Sequence, residues 1–238
     1  MATAQRELTF LLAQPERRLL CAIAARLPAA VNSDHLTALG VLGAVGAGAA
    51  YALSAAGAGW LWAASALLAL NWLGDSLDGT LARARRVERP RYGYYLDHIV
   101  DAFATAAIGI GIGLSSYVDL SVALGAVAVY LVLSINVYLE SAAFGVFRLA
   151  YGRIGPTEVR LVLVAANSLL ALAGPEAGVV APIADWTVGI VTAGMAGVLA
   201  LRVYGNLRAL ARLEPRPEVA GQVRASASRP GGAQPARA

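Results

Sequence analysis

Six apolar stretches alternate with short polar segments along most of the chain. A helix that crosses a bilayer needs roughly 20 mostly apolar residues, and each stretch approaches or reaches that length. The predicted spans are residues 36–56, 60–78, 95–115, 120–140, 159–173 and 180–203. The pattern therefore predicts an all-α fold, an integral membrane bundle of six transmembrane helices.

The arginines lie in alternate connecting segments. They precede the first span, separate the second from the third and the fourth from the fifth, and follow the sixth, whereas the other three loops have none. Short cytoplasmic loops accumulate Lys and Arg. The alternation therefore predicts an even number of spans with both termini in the cytoplasm.

Two flanking regions differ from the spanning domain, which we assign to residues 35–212. In residues 1–34, apolar side chains recur at roughly helical spacing, interrupted by Pro15, which predicts a cytoplasmic amphipathic helix in the membrane interface. An ordinary lead-in to the first span is the alternative. Residues 213–238 are rich in Pro, Gly, Ser, Ala and Arg, a composition typical of a disordered tail.

Composition agrees with a membrane protein. The chain is 58% hydrophobic and 14% charged, whereas a soluble domain has about 25% charged residues. The single cysteine, Cys21, excludes an intramolecular disulfide framework. All 19 basic residues are Arg, which we attribute to overall composition, so no nucleic-acid partner is expected.

Four aspartates lie near the ends of two predicted spans. Asp75 and Asp78 are three residues apart, and Asp97 and Asp101 are four apart, so each pair shares a helical face. An acid inside a span costs roughly 2.5–3.5 kcal/mol and is functional by default. At about 1.5 Å of rise per residue, the first pair lies close to the cytoplasmic end of its span, where water-soluble substrates have access.

Carboxylate oxygens are the ligands that Mg²⁺ or Mn²⁺ prefers, and two divalent ions would neutralise four aspartates. Two ions about 3.5–4 Å apart can stabilise both the entering and the leaving oxygen in a phosphoryl displacement. Gly79, Ala82 and Gly93 leave backbone open for a nucleotide, and the guanidinium fork of Arg83 suits a diphosphate. For the glycines alone, close helix packing is the alternative.

The aspartates and these neighbours form one ordered motif. It reads Asp75-x2-Asp78-Gly79-x2-Ala82-Arg83, nine residues, then Gly93-x3-Asp97-x3-Asp101. The motif resembles the signature of the CDP-alcohol phosphatidyltransferases at all eight defined positions. The resemblance implies a six-helix bundle, a homodimer, an N-terminal interfacial helix and a cytoplasm-facing site, in which an alcohol hydroxyl attacks the donor phosphorus and CMP leaves.

The resemblance also implies a role for each motif position. The metal ligands would be Asp75, Asp78, Asp97 and Asp101, and Asp101 would also act as the general base. The residues that hold the cytidine diphosphate would be Gly79, Ala82, Arg83 and Gly93. The membrane would be that of a bacterium or archaeon.

The acceptor site is expected in the segment after the fourth span. Its candidate ligands are Glu140, Arg148, Arg153, Glu158 and Arg160. The segment lacks the Tyr-x-x-Arg-Ala type of pattern of better-known bacterial branches, and its Gly-Pro-Thr-Glu sequence at 155–158 is similar to the choline and ethanolamine phosphotransferases. Pro156 can equally open a helix with Glu158 in its first turn. The resemblance therefore implies CDP-diacylglycerol and an alcohol as the substrates, or alternatively a CDP-amino alcohol and a diradylglycerol.

The chain has two histidines. His98, beside Asp97, can orient a carboxylate or assist deprotonation of the attacking hydroxyl. A histidine with no direct role in the reaction is the alternative. For His35 an ordinary structural role is expected.

Two other classes of protein also place acids in membranes. An intramembrane prenyltransferase is suggested by Asn71-x3-Asp75, but such enzymes have two separated Asp-rich motifs. An ion-coupled transporter is disfavoured because the acids gather at one end of the spans and no inverted repeat is evident. A Gly109-x3-Gly113 pattern allows helix dimerisation without specifying it.

Overall fold

A computed structural model describes residues 12–144, 155–173 and 177–215, with the side chains of 177–179 excepted. The described residues form helices and connecting turns, with no strand among them. The helices are α1 (Ala13–Ala24), α2 (Ser33–Ala52), α3 (Gly59–Arg85), α4 (Pro90–Gly113), α5 (Leu120–Phe144), α6 (Pro156–Ala173) and α7 (Ala177–Leu213). The chain divides into two compact units, Met1–Leu199 and Ala200–Ala238, and the site described below lies in the first.

Five of these helices are long and apolar enough to cross a membrane. They are α2, α4, α5, α6 and the Val180–Leu213 part of α7, so the prediction of an all-helical membrane protein is confirmed. The remaining predicted span, 60–78, lies within α3, whose C-terminal half carries Asp75, Asp78 and Arg83 of the motif. The count of six spans stays a prediction.

Both halves of the motif lie entirely within helices that extend past the predicted spans. Helix α3 continues to Arg85 and is closed by Arg86, a non-glycine residue in the left-handed conformation at φ 56°. Helix α4 begins at Pro90, whose missing N–H and fixed φ suit the first position of a helix. The two helices are therefore joined by a short turn at the end of the bundle that carries the aspartates.

Helix α2 is the common support of α3 and α4, and glycines let the backbones approach closely. A Cβ built on Gly74 would overlap the backbone of Gly40 in α2, and one built on Gly43 would lie 2.6 Å from the backbone nitrogen of Asn71. A Cβ on Gly111 in α4 would overlap the carbonyl of Gly48. Since α3 and α4 both pack against α2, their aspartate-bearing ends are held beside each other.

Helix α1 packs mainly against α3. Its Leu20 and Ala24 are buried in a cluster with Leu36, Leu77 and Leu81. Pro15 lies in the first turn of α1 and does not interrupt it, because a first-turn N–H has no partner within the helix. The apolar face of α1 is thus partly covered by protein, and its location in the membrane interface stays a prediction.

The connection between α1 and α2 is fixed by one arginine. The Arg85 guanidinium donates to the carbonyl oxygens of Leu27 and Pro28, at 3.0 and 2.9 Å, and to that of Val31. Helix α2 then begins with a capping box, in which Asn32 accepts from the backbone of His35 and the His35 ring accepts from the backbone of Asn32. The structural role expected for His35 is confirmed.

Gly109 and Gly113 of α4 pack against another helix of the same chain. A Cβ on Gly113 would lie 2.9 Å from the Cβ of Ala123 in α5, and one on Gly109 would overlap the side chain of Val127. These positions therefore serve the packing of α4 on α5. The predicted disordered tail lies outside the described residues from residue 216 onward.

Candidate active site

Three of the four predicted aspartates come together between α3 and α4. Asp75, Asp97 and Asp101 each offer a carboxylate oxygen, and these oxygens all lie within 4.8 Å of one another. The close packing of both helices on α2 and the four-residue spacing of Asp97 and Asp101 produce this arrangement. All three side chains are half-buried, and carboxylates gathered this closely form a site suited to a divalent cation.

Asp78 is near the cluster but its carboxylate points toward α2. Thr37 donates its hydroxyl to Asp78 Oδ2 at 2.6 Å, and the backbone N–H of Gly79 donates to Oδ1. Ser33 also donates to the backbone carbonyl oxygen of Asp78, at 2.9 Å. The structure therefore places Asp78 outside the group of three, in contact with two α2 residues that the motif does not contain.

Arg160 of α6 reaches the aspartate cluster. Its Nη2 lies 3.1 Å from Asp75 Oδ2, and its Nε donates to Asn71 Oδ1 at 3.1 Å. Asn71 is fixed in turn, since its Nδ2 donates to the carbonyl oxygen of Gly40 at 3.0 Å. One guanidinium among three carboxylates leaves a negative charge of two, which a divalent cation would neutralise.

The two glycines predicted to bind the nucleotide, Gly79 and Gly93, have few atoms packed against them. A Cβ on Gly93 would meet no atom within 4 Å, and one on Gly79 would meet only the guanidinium of Arg83, at 3.1 Å. Arg83 is exposed and donates to the Thr80 hydroxyl at 3.2 Å. This turn of α3 thus combines backbone without a covering side chain at Gly79 with the exposed guanidinium of Arg83.

His98 is held by backbone and aromatic contacts. Its Nδ1 lies 2.7 Å from the carbonyl oxygen of Tyr94, which can only accept, so Nδ1 carries a hydrogen. The same atom is 3.7 Å from Asp97 Oδ2, too far for a good hydrogen bond. The ring lies between those of Tyr94 and Tyr138, with centroids 4.1 and 4.5 Å away. These contacts favour a positioning role over proton abstraction through Nδ1.

The other acceptor candidates are placed differently. Glu140 is buried in α5 and accepts from Asn136 Nδ2 at 2.7 Å. Glu158 accepts from the backbone N–H of Gly155 at 2.9 Å, as in the reciprocal half of a capping box, and from that of Leu12 at 3.2 Å. Arg148 and Arg153 lie outside the described residues. Among the described candidates, Arg160 is the one that contacts the aspartate cluster.

A further carboxylate beside the site was not predicted. Glu16 of α1 accepts from Trp72 Nε1 at 3.0 Å, from the Ser76 hydroxyl at 3.3 Å and from the Thr157 hydroxyl at 3.1 Å. Because Glu16 lies in the N-terminal flank, far from the motif in sequence, no local pattern connects it to α3 and α6. The one signal is its position four residues before the buried Leu20, which places both side chains on the same face of α1.

Comparison with known proteins agrees with the motif. The family model described as CDP-alcohol phosphatidyltransferase matches residues 31–203, well over half of the chain. A phosphatidylinositol phosphate synthase of Cutibacterium acnes (strain DSM 16379 / KPA171202) is 39% identical over 90 residues, which are 38% of this chain and 41% of that relative. The match thus spans less than half the length of the curated relative. The chain is an integral membrane protein that belongs to the CDP-alcohol phosphatidyltransferase family.

Proposed function

We propose that the protein transfers the phosphatidyl group of CDP-diacylglycerol to the hydroxyl of a phosphorylated polyol, with inositol phosphate as the first candidate, and releases CMP. The observation that carries this proposal is the cluster of three carboxylates within 4.8 Å of one another with a guanidinium 3.1 Å from one of them. The carboxylates suit cations that bind the donor diphosphate. The guanidinium suits a second phosphate, on the acceptor.

The cation is Mg²⁺ or Mn²⁺, and the carboxylates that would hold it are Asp75, Asp97 and Asp101. Two ions would neutralise the four aspartates of the motif once Arg160 pairs with the acceptor phosphate, the role assigned to it below. Asp78, which the Thr37 hydroxyl orients by donating to its carboxylate, would be the fourth ligand. When bound, such ions neutralise the diphosphate and stabilise the charge that develops on the entering and leaving oxygens.

The reaction is a single displacement at phosphorus. The acceptor hydroxyl oxygen bonds to the phosphorus that carries diacylglycerol, the bond from that phosphorus to the CMP oxygen breaks, and CMP leaves as the anion. Asp101 accepts the hydroxyl proton as the general base. Arg83 and the open backbone at Gly79, Ala82 and Gly93 hold the cytidine diphosphate, and His98 keeps the Asp97 segment of α4 in position through Tyr94.

Arg160 is the residue we assign to the acceptor phosphate. It projects from α6 to the edge of the cluster, its side chain is 17% exposed, and Asn71 holds its Nε so that the guanidinium plane is fixed. A planar fork held in this way suits bidentate binding of a phosphate. The hydroxyl of an acceptor bound there would lie beside the aspartates.

The choline and ethanolamine type of reaction is less well supported. The segment at 155–158 that resembles that branch is explained by helix geometry, because Pro156 opens α6 and Glu158 accepts from the N–H of Gly155. The prenyltransferase and transporter interpretations are not retained, because the chain belongs to a different family.

We also propose that the site is cytoplasmic and that α3 spans the membrane in addition to the five apolar helices, which gives six spans. The spanning domain would comprise residues 35–212, and the protein would be a homodimer. The alternation of arginine-bearing and arginine-free loops supports the orientation and the count. The apolar exposed faces of α5 and α6 are available to lipid or to a second copy. Chemical cross-linking in membranes would test the dimer.

The deciding experiment measures CMP release by the purified protein in mixed detergent–lipid micelles with Mg²⁺ or Mn²⁺. CDP-diacylglycerol is offered with inositol phosphate, glycerol phosphate or serine, and CDP-choline or CDP-ethanolamine is offered with diacylglycerol. We expect CMP with inositol phosphate, a large loss in Asp101→Asn and no loss in the exposed control Glu88→Gln. CMP release from the CDP-amino alcohols alone, or from no pairing, would refute the proposal.

A further inference from the structure

Glu16 joins three helices through one carboxylate. From α3 it receives the indole N–H of Trp72 at 3.0 Å and the hydroxyl of Ser76 at 3.3 Å. From α6 it receives the hydroxyl of Thr157, which lies 3.2 Å from Oε1 and 3.1 Å from Oε2. All four side chains are partly buried, where a hydrogen bond to a charged group is strong.

The Glu16 contacts run parallel to those of Arg160. Trp72 and Ser76 are four residues apart and so share one face of α3. Asn71 and Asp75, which contact Arg160, precede them by one residue each and share the adjoining face. On α6, Thr157 and Arg160 are three residues apart and face α3 together. Thr157 and Arg160 therefore reach neighbouring sites about one helical turn apart on α6, Thr157 at Glu16 and Arg160 at Asp75.

A second contact ties α1 to α6 at the same level. The backbone N–H of Leu12, just before α1, donates to Glu158 Oε1 at 3.2 Å. Leu20 and Ala24, further along α1, are buried against α3. Helix α1 is thus anchored to α3 by packing and to α6 by hydrogen bonds.

We propose that α1 is a strap that fixes the register of α6 on α3, and that Glu16 is the positioning residue through which the strap places Arg160 at the active site. Glu16 does not contact the aspartate cluster in this arrangement. Its effect on the reaction passes through Thr157 and the first turn of α6. The kinetic part of this inference rests on the proposed function, whereas the structural part does not.

The kinetic test is a double-mutant cycle between Glu16 and Arg160. Glu16→Ala should raise the KM for the acceptor roughly tenfold, since a hydrogen bond to a charged group is worth about that factor or more, and should leave the KM for CDP-diacylglycerol unchanged. In an Arg160→Gln background the same change should alter the acceptor KM less than twofold. Glu16→Gln, which keeps an acceptor oxygen for Thr157, should restore most of the loss. Gln14→Ala, exposed on the same helix, is the matched control.

Equal effects of Glu16→Ala in both backgrounds would show a general structural role and overturn the proposal. Hydrogen exchange supplies the readout that needs no activity. The amides of residues 159–163 should exchange faster in Glu16→Ala than in the wild type, and at the wild-type rate in Gln14→Ala. Unchanged exchange in Glu16→Ala would refute the strap. Faster exchange in a protein that releases no CMP from any substrate pair would refute the proposed function and leave the strap standing.

Discussion

The positively charged Arg160 lies beside Asp75, where a metal ion would bind. Removing its charge should therefore have opposite effects on the affinity for a metal ion and on the affinity for the acceptor. In Arg160→Gln the guanidinium that now neutralises part of the cluster is lost, while the side chain keeps a polar end for Asn71. We expect the variant to bind Mn²⁺ more tightly than the wild type in the absence of substrate. We also expect it to bind the acceptor more weakly.

The magnitudes follow from the geometry. Unit charges about 4 Å apart interact by about 4 kcal/mol at the effective dielectric of a protein surface, and Asp75 and Arg160 are 21% and 17% exposed at a separation of 3.1 Å. Solvent screening reduces this value, yet about 1.4 kcal/mol is already tenfold in affinity. Mn²⁺ should therefore bind at least about tenfold more tightly. Loss of charge-assisted hydrogen bonds worth about 1.5–3 kcal/mol should raise the acceptor KM by about tenfold or more.

Mn²⁺ affinity is measured by paramagnetic resonance of free Mn²⁺ during titration, and KM values by CMP release. Arg17→Gln removes an exposed arginine from α1 and serves as the control for net charge. Weaker Mn²⁺ binding in Arg160→Gln would show that the guanidinium does not compete with a cation at Asp75. An unchanged acceptor KM would show that Arg160 does not bind the acceptor.

Three further predictions concern the residues that support the site and its metal. Gly111→Ala should destabilise the protein by about 1–3 kcal/mol, as measured by thermal unfolding in detergent, because the added Cβ overlaps the Gly48 carbonyl. Gly125→Ala, where a Cβ meets nothing within 4 Å, should cause no loss of stability. Thr37→Val should lower kcat by about tenfold, because a hydrogen bond to a charged group is lost and Asp78 is no longer oriented. Thr37→Ser keeps the hydroxyl and should retain activity, so equal kcat values in the two variants would contradict a role for this contact. Chelation of divalent ions should abolish CMP release and added Mg²⁺ or Mn²⁺ should restore it, so full activity in excess chelator would exclude a metal at the aspartates.

The sequence predicted the aspartate cluster because its geometry is mostly local. Asp97 and Asp101 share a face in any α-helix, and acids at the ends of two apolar stretches joined by a short turn must lie at the same end of a bundle. The motif and its resemblance also identified the family correctly. The orientation of Asp78 was not predictable, because it depends on Thr37. That residue is distant in sequence, and a single threonine in an apolar span carries no signal of a contact with an aspartate.

The features of the site that the sequence did not predict depend on long-range packing. Arg160 and Glu158 were both named as acceptor ligands, yet one reaches the cluster and the other accepts from Gly155 and Leu12. Their separation by two residues places them on different faces of α6, and only the packing of α6 on α3 decides which face meets the site. Glu16 was missed for the same reason, since its partners belong to two other helices.

The backbone contact between Gly40 and Gly74 determines which positions can vary during evolution. Gly74 directly precedes Asp75, and a side chain there would push α3 away from α2 and carry Asp75 with it. A residue without any reactive group is thus as constrained as the aspartate that follows it. In a complete substitution library scored for CMP release, Gly74 should tolerate as few replacements as Asp75, whereas the open Gly125 in α5 should accept many.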